Sequence, residues 1–232
     1  MCTFRKVKEG LGLSMESISK GWDWSKSNEK TWYKPCEESY YLVNRWQEKG
    51  YKSFLDLGCG RGRHSIQFAK AGFTVSSFDL CEEVVVSLKE ISEKKSLHIT
   101  AQKGDMLSLP YKDNSFDCLL AYHVISHTDS KGIDIILSEI TRVLKNDGEF
   151  YITLCSKNSW SYKDAGFPKH DENTVIKVED GPENGIPHFF ADDTILKPLF
   201  KEFKLISVRH IQDLIFDGKD QNSWHYYILG TK

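Results

Sequence analysis

From Lys52 onward the chain alternates short apolar and β-branched runs with longer stretches whose apolar positions recur about once per helical turn. The run 53–57 reads as a first strand, and 63–71 as a helix stopped by Gly72, a residue suited to the left-handed C-cap. A second strand over 73–78 ends at Asp79, and 82–95, with Val85, Leu88 and Ile91 a turn apart, reads as the next helix. Strands over 97–101 and 116–122 follow. The stretch 133–144 places Ile136, Ile140, Val143 and Leu144 on one helical stripe, and the turn Asn146-Asp147-Gly148 leads into a fifth strand over 149–154. This alternation is the signature of βαβ units on a mainly parallel sheet. A short helix over 193–200 and strands over 204–213 and 224–230 close the chain, the last two pairing antiparallel through a turn at Asp217-Gly218.

Two segments differ in texture. The first fifty residues carry Trp22, Trp24, Trp32, Tyr33, Tyr40, Tyr41 and Trp46, with a helix expected over 36–48, and read as an aromatic helical cap, 1–50. Between Ser156 and Ala191 stand Pro168, Pro182 and Pro187 with Trp160, Tyr162, Phe167, Phe189 and Phe190 among charges. A connection this long without regular structure is usually a lid or binding insertion, so 157–190 is assigned to the substrate side of a domain spanning 51–232.

Composition narrows the class of answer. With 232 residues, 40% apolar and 28% charged, the chain is an ordinary globular one. A net charge of −2 gives no global pull toward nucleic acid or anionic lipid. The six cysteines (Cys2, Cys36, Cys59, Cys81, Cys118, Cys155) form no Cys-x-x-Cys pair and no Cys/His ligand spacing, so thiols in a reducing compartment and no metal are expected. No secretory h-region opens the chain, and the longest apolar stretch, near 118–125, is far short of the roughly 20 residues of a membrane span. A cytoplasmic protein is the expectation.

The chemistry concentrates at Leu55-Asp56-Leu57-Gly58-Cys59-Gly60-Arg61-Gly62, where the first strand must turn into a helix. Glycines there allow positive φ and let a ligand approach without meeting a Cβ. A dinucleotide would need Gly-x-Gly-x-x-Gly; here Arg63 stands where the third glycine should fall, and Gly62 comes one place early. An NAD-dependent oxidoreductase is thereby weakened.

The sequence resembles the class I S-adenosylmethionine-dependent methyltransferase family over about 51–156. The resemblance rests on 54–62, on Asp79 at the end of the second strand, and on Gly104-Asp105-Met106. It continues in Asn114-Ser115-Phe116-Asp117 and in the run 140–148 before the fifth strand. It implies a Rossmann-like three-layer α/β sandwich: a seven-stranded, mostly parallel sheet with an antiparallel C-terminal hairpin. It implies S-adenosylmethionine as cofactor and S-adenosylhomocysteine as product. By position, Asp56 would meet the amino group and Gly58 and Gly60 would receive the methionine portion, with Cys59 a small packing residue whose backbone matters. Asp79 would accept the ribose hydroxyls, a charge-assisted bidentate contact. Asp105 and the Met106 N–H would take the adenine, Leu80 would form an apolar wall, and Ala121 and His123 would lie beside the reactive methyl.

The acceptor is expected to be a small molecule. The run 121–127 lacks the Asn/Asp-Pro-Pro-Tyr of amino-group methylation in adenine or glutamine, and no Pro-Cys or Thr-Cys nucleophile follows it. Histidine suits a general base near neutrality, which makes His188 and His225 the candidates, with His127 read as structural. Seven positive against four negative side chains in the first 35 residues are too mild a bias for an RNA partner. An RNA or protein methyltransferase and a non-catalytic cofactor-binding module stay open as alternatives. Arg61, Arg63 and His64 open a helix, where cations oppose the dipole, which points either to some use or to a solvated face.

Overall fold

The computed structural model describes residues 17–27, 29–214 and 221–232. Five parallel strands form the centre: β1 (Ser53–Leu57), β2 (Thr74–Asp79), β3 (Ile99–Lys103), β4 (Phe116–Ala121) and β5 (Leu144–Ser156), in the order β3-β2-β1-β4-β5. The antiparallel hairpin is present: β9 (Ser223–Thr231) runs along β5 from Glu149 to Cys155, and β8 (Lys204–Asp213) pairs with β9. The turn expected at Asp217-Gly218 lies outside the described residues. Helices α1 (Glu37–Glu48), α2 (Arg63–Lys70), α3 (Glu82–Lys94) and α4 (Ser130–Val143) fall within a few residues of expectation. Among the described residues no helix is long and apolar enough to cross a membrane.

The strands bury both faces, and period-two alternation sorts their side chains into two cores. Leu55, Leu57, Leu119, Phe150 and Ile152 pack toward Ile133, Ile136 and Ile140 of α4. Their neighbours Phe54, Cys118, Leu120 and Tyr151 pack toward Phe68 of α2 and Leu42 and Trp46 of α1. Rings of Phe54 and Phe68 stack with centroids 3.9 Å apart.

Two expectations change. The seven-stranded sheet is extended to nine strands among the described residues, because the insertion is not structureless. It holds the short helix α5 (Trp160–Lys163) and the strands β6 (Thr174–Ile176) and β7 (Pro187–Ala191), ahead of α6 (Asp193–Leu199). Cys155 of β5 pairs with both His225 of β9 and Phe190 of β7. The side of β5 that β4 leaves free beyond Ile152 is therefore taken over by β7. The second change is at Asn146-Asp147-Gly148, which does not end the ladder. From Phe116↔Leu144 to Cys118↔Glu149, two steps on β4 span five on β5, a bulge in which Asp147 takes φ +63°.

One buried ion pair fastens α1 to the sheet. Glu149, 1% exposed, accepts from Arg45 Nε and Nη2, each at 2.8 Å, and from Trp46 Nε1 at 2.8 Å, with Lys49 Nζ at 3.0 Å. Burial works against its charge, but these donors outweigh it and hold the carboxyl below its ordinary range. Glu149→Ala strands the buried Trp46 N–H and removes the partner of Arg45. A loss of about 2–4 kcal/mol is expected in denaturant unfolding, and a change under 1 kcal/mol would show that α1 is held by packing alone.

Candidate functional site

The chain runs from β1 outward to β2 and β3, then returns to place β4 on the other side of β1. Where strand order reverses, the loops leaving β1 and β4 part and open a crevice at the carboxyl ends of the strands. The glycine turn forms its floor. Gly58 (φ +71°) and Cys59 donate their N–H groups to the Phe78 carbonyl at 2.7 and 3.0 Å. A Cβ on Gly58 would stand 2.2 Å from Val124 Cγ2, and one on Gly60 (φ +50°) would stand 2.6 Å from Trp24 Cζ2. Side chains at either place would push away the β4 loop or the aromatic segment.

Asp79 ties β2 to this turn. Its Oδ2 accepts the Gly60 N–H at 2.8 Å and its Oδ1 the Cys81 N–H at 2.9 Å; burial raises its carboxyl. Asp105 accepts from Leu107 N at 3.0 Å and from the Ser19 hydroxyl at 2.7 Å, which draws the N-terminal segment over the crevice. Arg61 and Arg63 have the use that their position at a helix start implied. Arg61 Nη2 donates to the carbonyls of Trp24 and Ser27 at 3.1 and 3.0 Å, and its guanidinium lies over the Trp24 ring. Arg63 Nη1 donates to the Thr31 carbonyl at 3.0 Å, and its guanidinium lies over the rings of Trp32 and Tyr122. His64 accepts the Cys36 N–H at 3.2 Å through Nε2, and burial keeps it neutral with a pKa of about 3.

The rings of Trp22, Trp24 and Trp32 pack on one another at 5.2–5.9 Å, and the segment meets the insertion where the Asp23 N–H donates to the Pro182 carbonyl at 3.0 Å. Beneath them lies a cavity of about 480 Å³, within the ~300–1,000 Å³ range of small-ligand sites. Gly58, Cys59, Gly60, Asp79, Leu80, Asp105, Met106, His123, His188 and His225 all line it. Two expected residues do not. Asp56 points from the opposite face of β1 into the packing against α2, where its Oδ2 accepts the Ser65 hydroxyl at 2.5 Å, itself bonded to Ser77. Ala121 is fully buried in the α4-side core.

Part of the cavity wall is rich in imidazole. His123 (φ +54°) lies 4.3 Å from the His225 ring, and burial together with His225 holds it well below its usual pKa. Burial also opposes charge on His225, yet Asp213, 3.8 Å away, and the Cys155 thiol push it up to about 9. This upward shift counts against His225 as a general base, because an imidazolium has no lone pair with which to accept a proton. The same pairing lowers the Cys155 thiol against the effect of burial. His188 faces Ile186 O through Nδ1 and Glu183 Oε1 through Nε2, each at 3.1 Å, so neither nitrogen stands open to the cavity; burial and Lys177 lower its pKa. His127, read as structural, lies in the cavity wall beside His188 with ring centroids 4.7 Å apart. Glu183, Lys177 and Cys155 were not singled out in sequence; the signal for Glu183 was its place five residues before His188 in the insertion.

Residues 55–152 match the family model of a methyltransferase domain. The chain is 27% identical over 205 residues to a sterol 24-C-methyltransferase of Schizosaccharomyces pombe, covering 84% of this chain and 50% of that protein. It is 27% identical over 208 residues to a glycine/sarcosine N-methyltransferase of Aphanothece halophytica, covering 81% and 77%. The chain therefore spans about half the length of the sterol relative. Among solved structures, a methyltransferase from Methanosarcina mazei superposes with a TM-score of 0.68 at 20% identity, covering 82% of this chain and 96% of that one.

Burial pushes the Asp56 carboxyl up from 3.8 to about 6. A raised carboxyl favours the protonated folded form, so its contribution is full below pH 3.8 and is lost as pH rises through about 6. Asp56→Asn keeps an acceptor for Ser65 and removes that dependence. Denaturant midpoints measured across this window are expected to show the variant gaining on the wild type as pH rises; parallel profiles would refute the raised pKa.

Proposed function

We propose that this chain is a class I S-adenosylmethionine-dependent methyltransferase, as the methyltransferase-domain match over residues 55–152 supports, and that it transfers the donor's methyl group to a small-molecule acceptor by in-line displacement. The reading is carried by one observation: the glycine turn braced by Asp79 opens directly into a cavity walled by aromatic rings and imidazoles.

The donor set fits this cofactor. A carboxylate offers about four acceptor positions, and backbone N–H groups of Gly60 and Cys81 engage Asp79 from one side, leaving acceptor capacity for a ribose diol. Asp105, Met106 and Leu80 line the same cavity, which supports their assignment to the adenine. Gly58 and Gly60 let the methionine portion lie against backbone. Acceptor carboxylates suit the hydroxyl and amine donors of a nucleoside that carries no phosphate. Asp56 acts from behind, holding Ser65 and hence the start of α2.

When bound, S-adenosylmethionine supplies a methyl carbon already activated by its sulfonium, which leaves as the neutral thioether of S-adenosylhomocysteine. The work of this chain is then alignment and exclusion of water; alignment alone is worth about 7–11 kcal/mol of barrier. The Trp22, Trp24 and Trp32 cluster closes the cavity, and Arg61 and Arg63 hold that cover in place. Relatives named for sterol and for glycine/sarcosine methylation support a small-molecule acceptor.

Calorimetric titration with S-adenosylhomocysteine and with NADH tests the reading: binding of the first is expected, and tight binding of NADH alone would overturn it. Asp79→Ala is expected to weaken S-adenosylhomocysteine binding at least about tenfold, the equivalent of a charged hydrogen bond. An unchanged dissociation constant would remove Asp79 from the site. Incubation with labelled methyl donor and fractionated metabolites then identifies the acceptor.

A further inference from the structure

Three side chains from distant parts of the chain converge on one point of the cavity wall. His188 Nε2 lies 3.1 Å from Glu183 Oε1, and His127 Nε2 lies 3.9 Å from the same oxygen. All three ligand-capable atoms fall within 4.8 Å of one another. The second nitrogen of His188, Nδ1, lies 3.1 Å from the Ile186 carbonyl. A neutral imidazole has one N–H, and the carbonyl can only accept. With Nδ1–H on the carbonyl, Nε2 turns its lone pair toward a carboxylate oxygen, an arrangement that a cation between the two would satisfy.

We propose that His127, Glu183 and His188 bind a divalent transition-metal ion of the zinc or iron(II) class in the wall of the cavity. A proton shared between His188 and Glu183 would satisfy those two groups alone. It gives no account of His127, buried against Trp22 and near the same oxygen. Two imidazoles and one carboxylate form a donor set that favours borderline ions over magnesium or calcium. Bonds of about 2.0–2.1 Å in a tetrahedral site put ligand atoms roughly 3.4 Å apart, so the observed spacings need shifts of about an ångström or less.

The groups behind the ligands are those that such a site requires. The Ile186 carbonyl, 3.1 Å from His188 Nδ1, is an acceptor for the N–H of the tautomer that turns Nε2 toward the ion. Lys177 pairs with Oε2 of Glu183, which leaves Oε1 turned to the imidazoles. Three protein ligands leave an open position, and all three residues line the cavity. An ion there would lower the pKa of a bound hydroxyl or thiol and hold it as the anion. That role in acceptor activation rests on the methyl-transfer reading; the ion site itself does not.

The test uses the full chain, stripped with chelator and titrated with cobalt(II) alone. One equivalent is expected to bind with visible ligand-field absorption and to be displaced by zinc. The near-isosteric Glu183→Gln and the truncation His188→Ala are each expected to weaken cobalt binding at least tenfold, with circular dichroism and melting temperature checking the fold. No visible absorption from the wild type, or equal affinity in Glu183→Gln, overturns the site. A near-ultraviolet sulfur-to-cobalt band abolished by Cys155→Ser would place the ion at Cys155 and His225 and overturn it equally. If His188→Ala does not fold, the wild-type spectrum and Glu183→Gln decide. Cobalt binding without S-adenosylhomocysteine binding would leave the ion site standing and refute the methyl-transfer reading.

Discussion

The Phe78 carbonyl and the Asp79 carboxylate, both at the end of β2, accept three backbone N–H groups from the turn after β1. Everything else at the site depends on that lock. It sets the glycines at positive φ with their bare faces toward Val124 and Trp24, and so fixes how closely the β4 loop and the aromatic cover approach. It also holds a carboxylate at the crevice floor despite the cost of burial, because backbone donors compensate part of the lost hydration.

The cover over the crevice is built against a local electrostatic rule. Arg61 and Arg63 flank a helix start, where a cation is disfavoured by roughly 0.3–1 kcal/mol. Their guanidinium groups offset this by donating to carbonyls of residues 24–34 and lying over Trp24, Trp32 and Tyr122. The N-terminal segment and the insertion, far apart in sequence, meet through Asp23 and Pro182 and through Lys20 Nζ on the Asn184 carbonyl, 2.6 Å away. The two flanks thereby close one cavity rather than two.

The cavity wall carries both acceptors and imidazoles: Asp79 and Asp105 stand with the glycine turn, and Glu183 stands among the histidines. Neighbours shift each imidazole: burial and His225 lower His123, while Asp213 and Cys155 raise His225 against its burial.

The sequence alone determined the central sheet, its helices and the C-terminal hairpin, because these rest on local periodicity and on turn residues. It also marked the glycine turn, Asp79, Asp105 and the histidine candidates, since motif spacing places them at strand ends. Asp56 and Ala121 do not line the cavity, because a motif gives the order of residues but not which face of a strand they occupy. Only the tertiary structure brought His127 beside Glu183 and His188, paired His225 with Cys155 across β5 and β9, and gave the insertion its strands. Those contacts join segments that no short-range pattern links, and they form only after the sheet has brought its strand ends together.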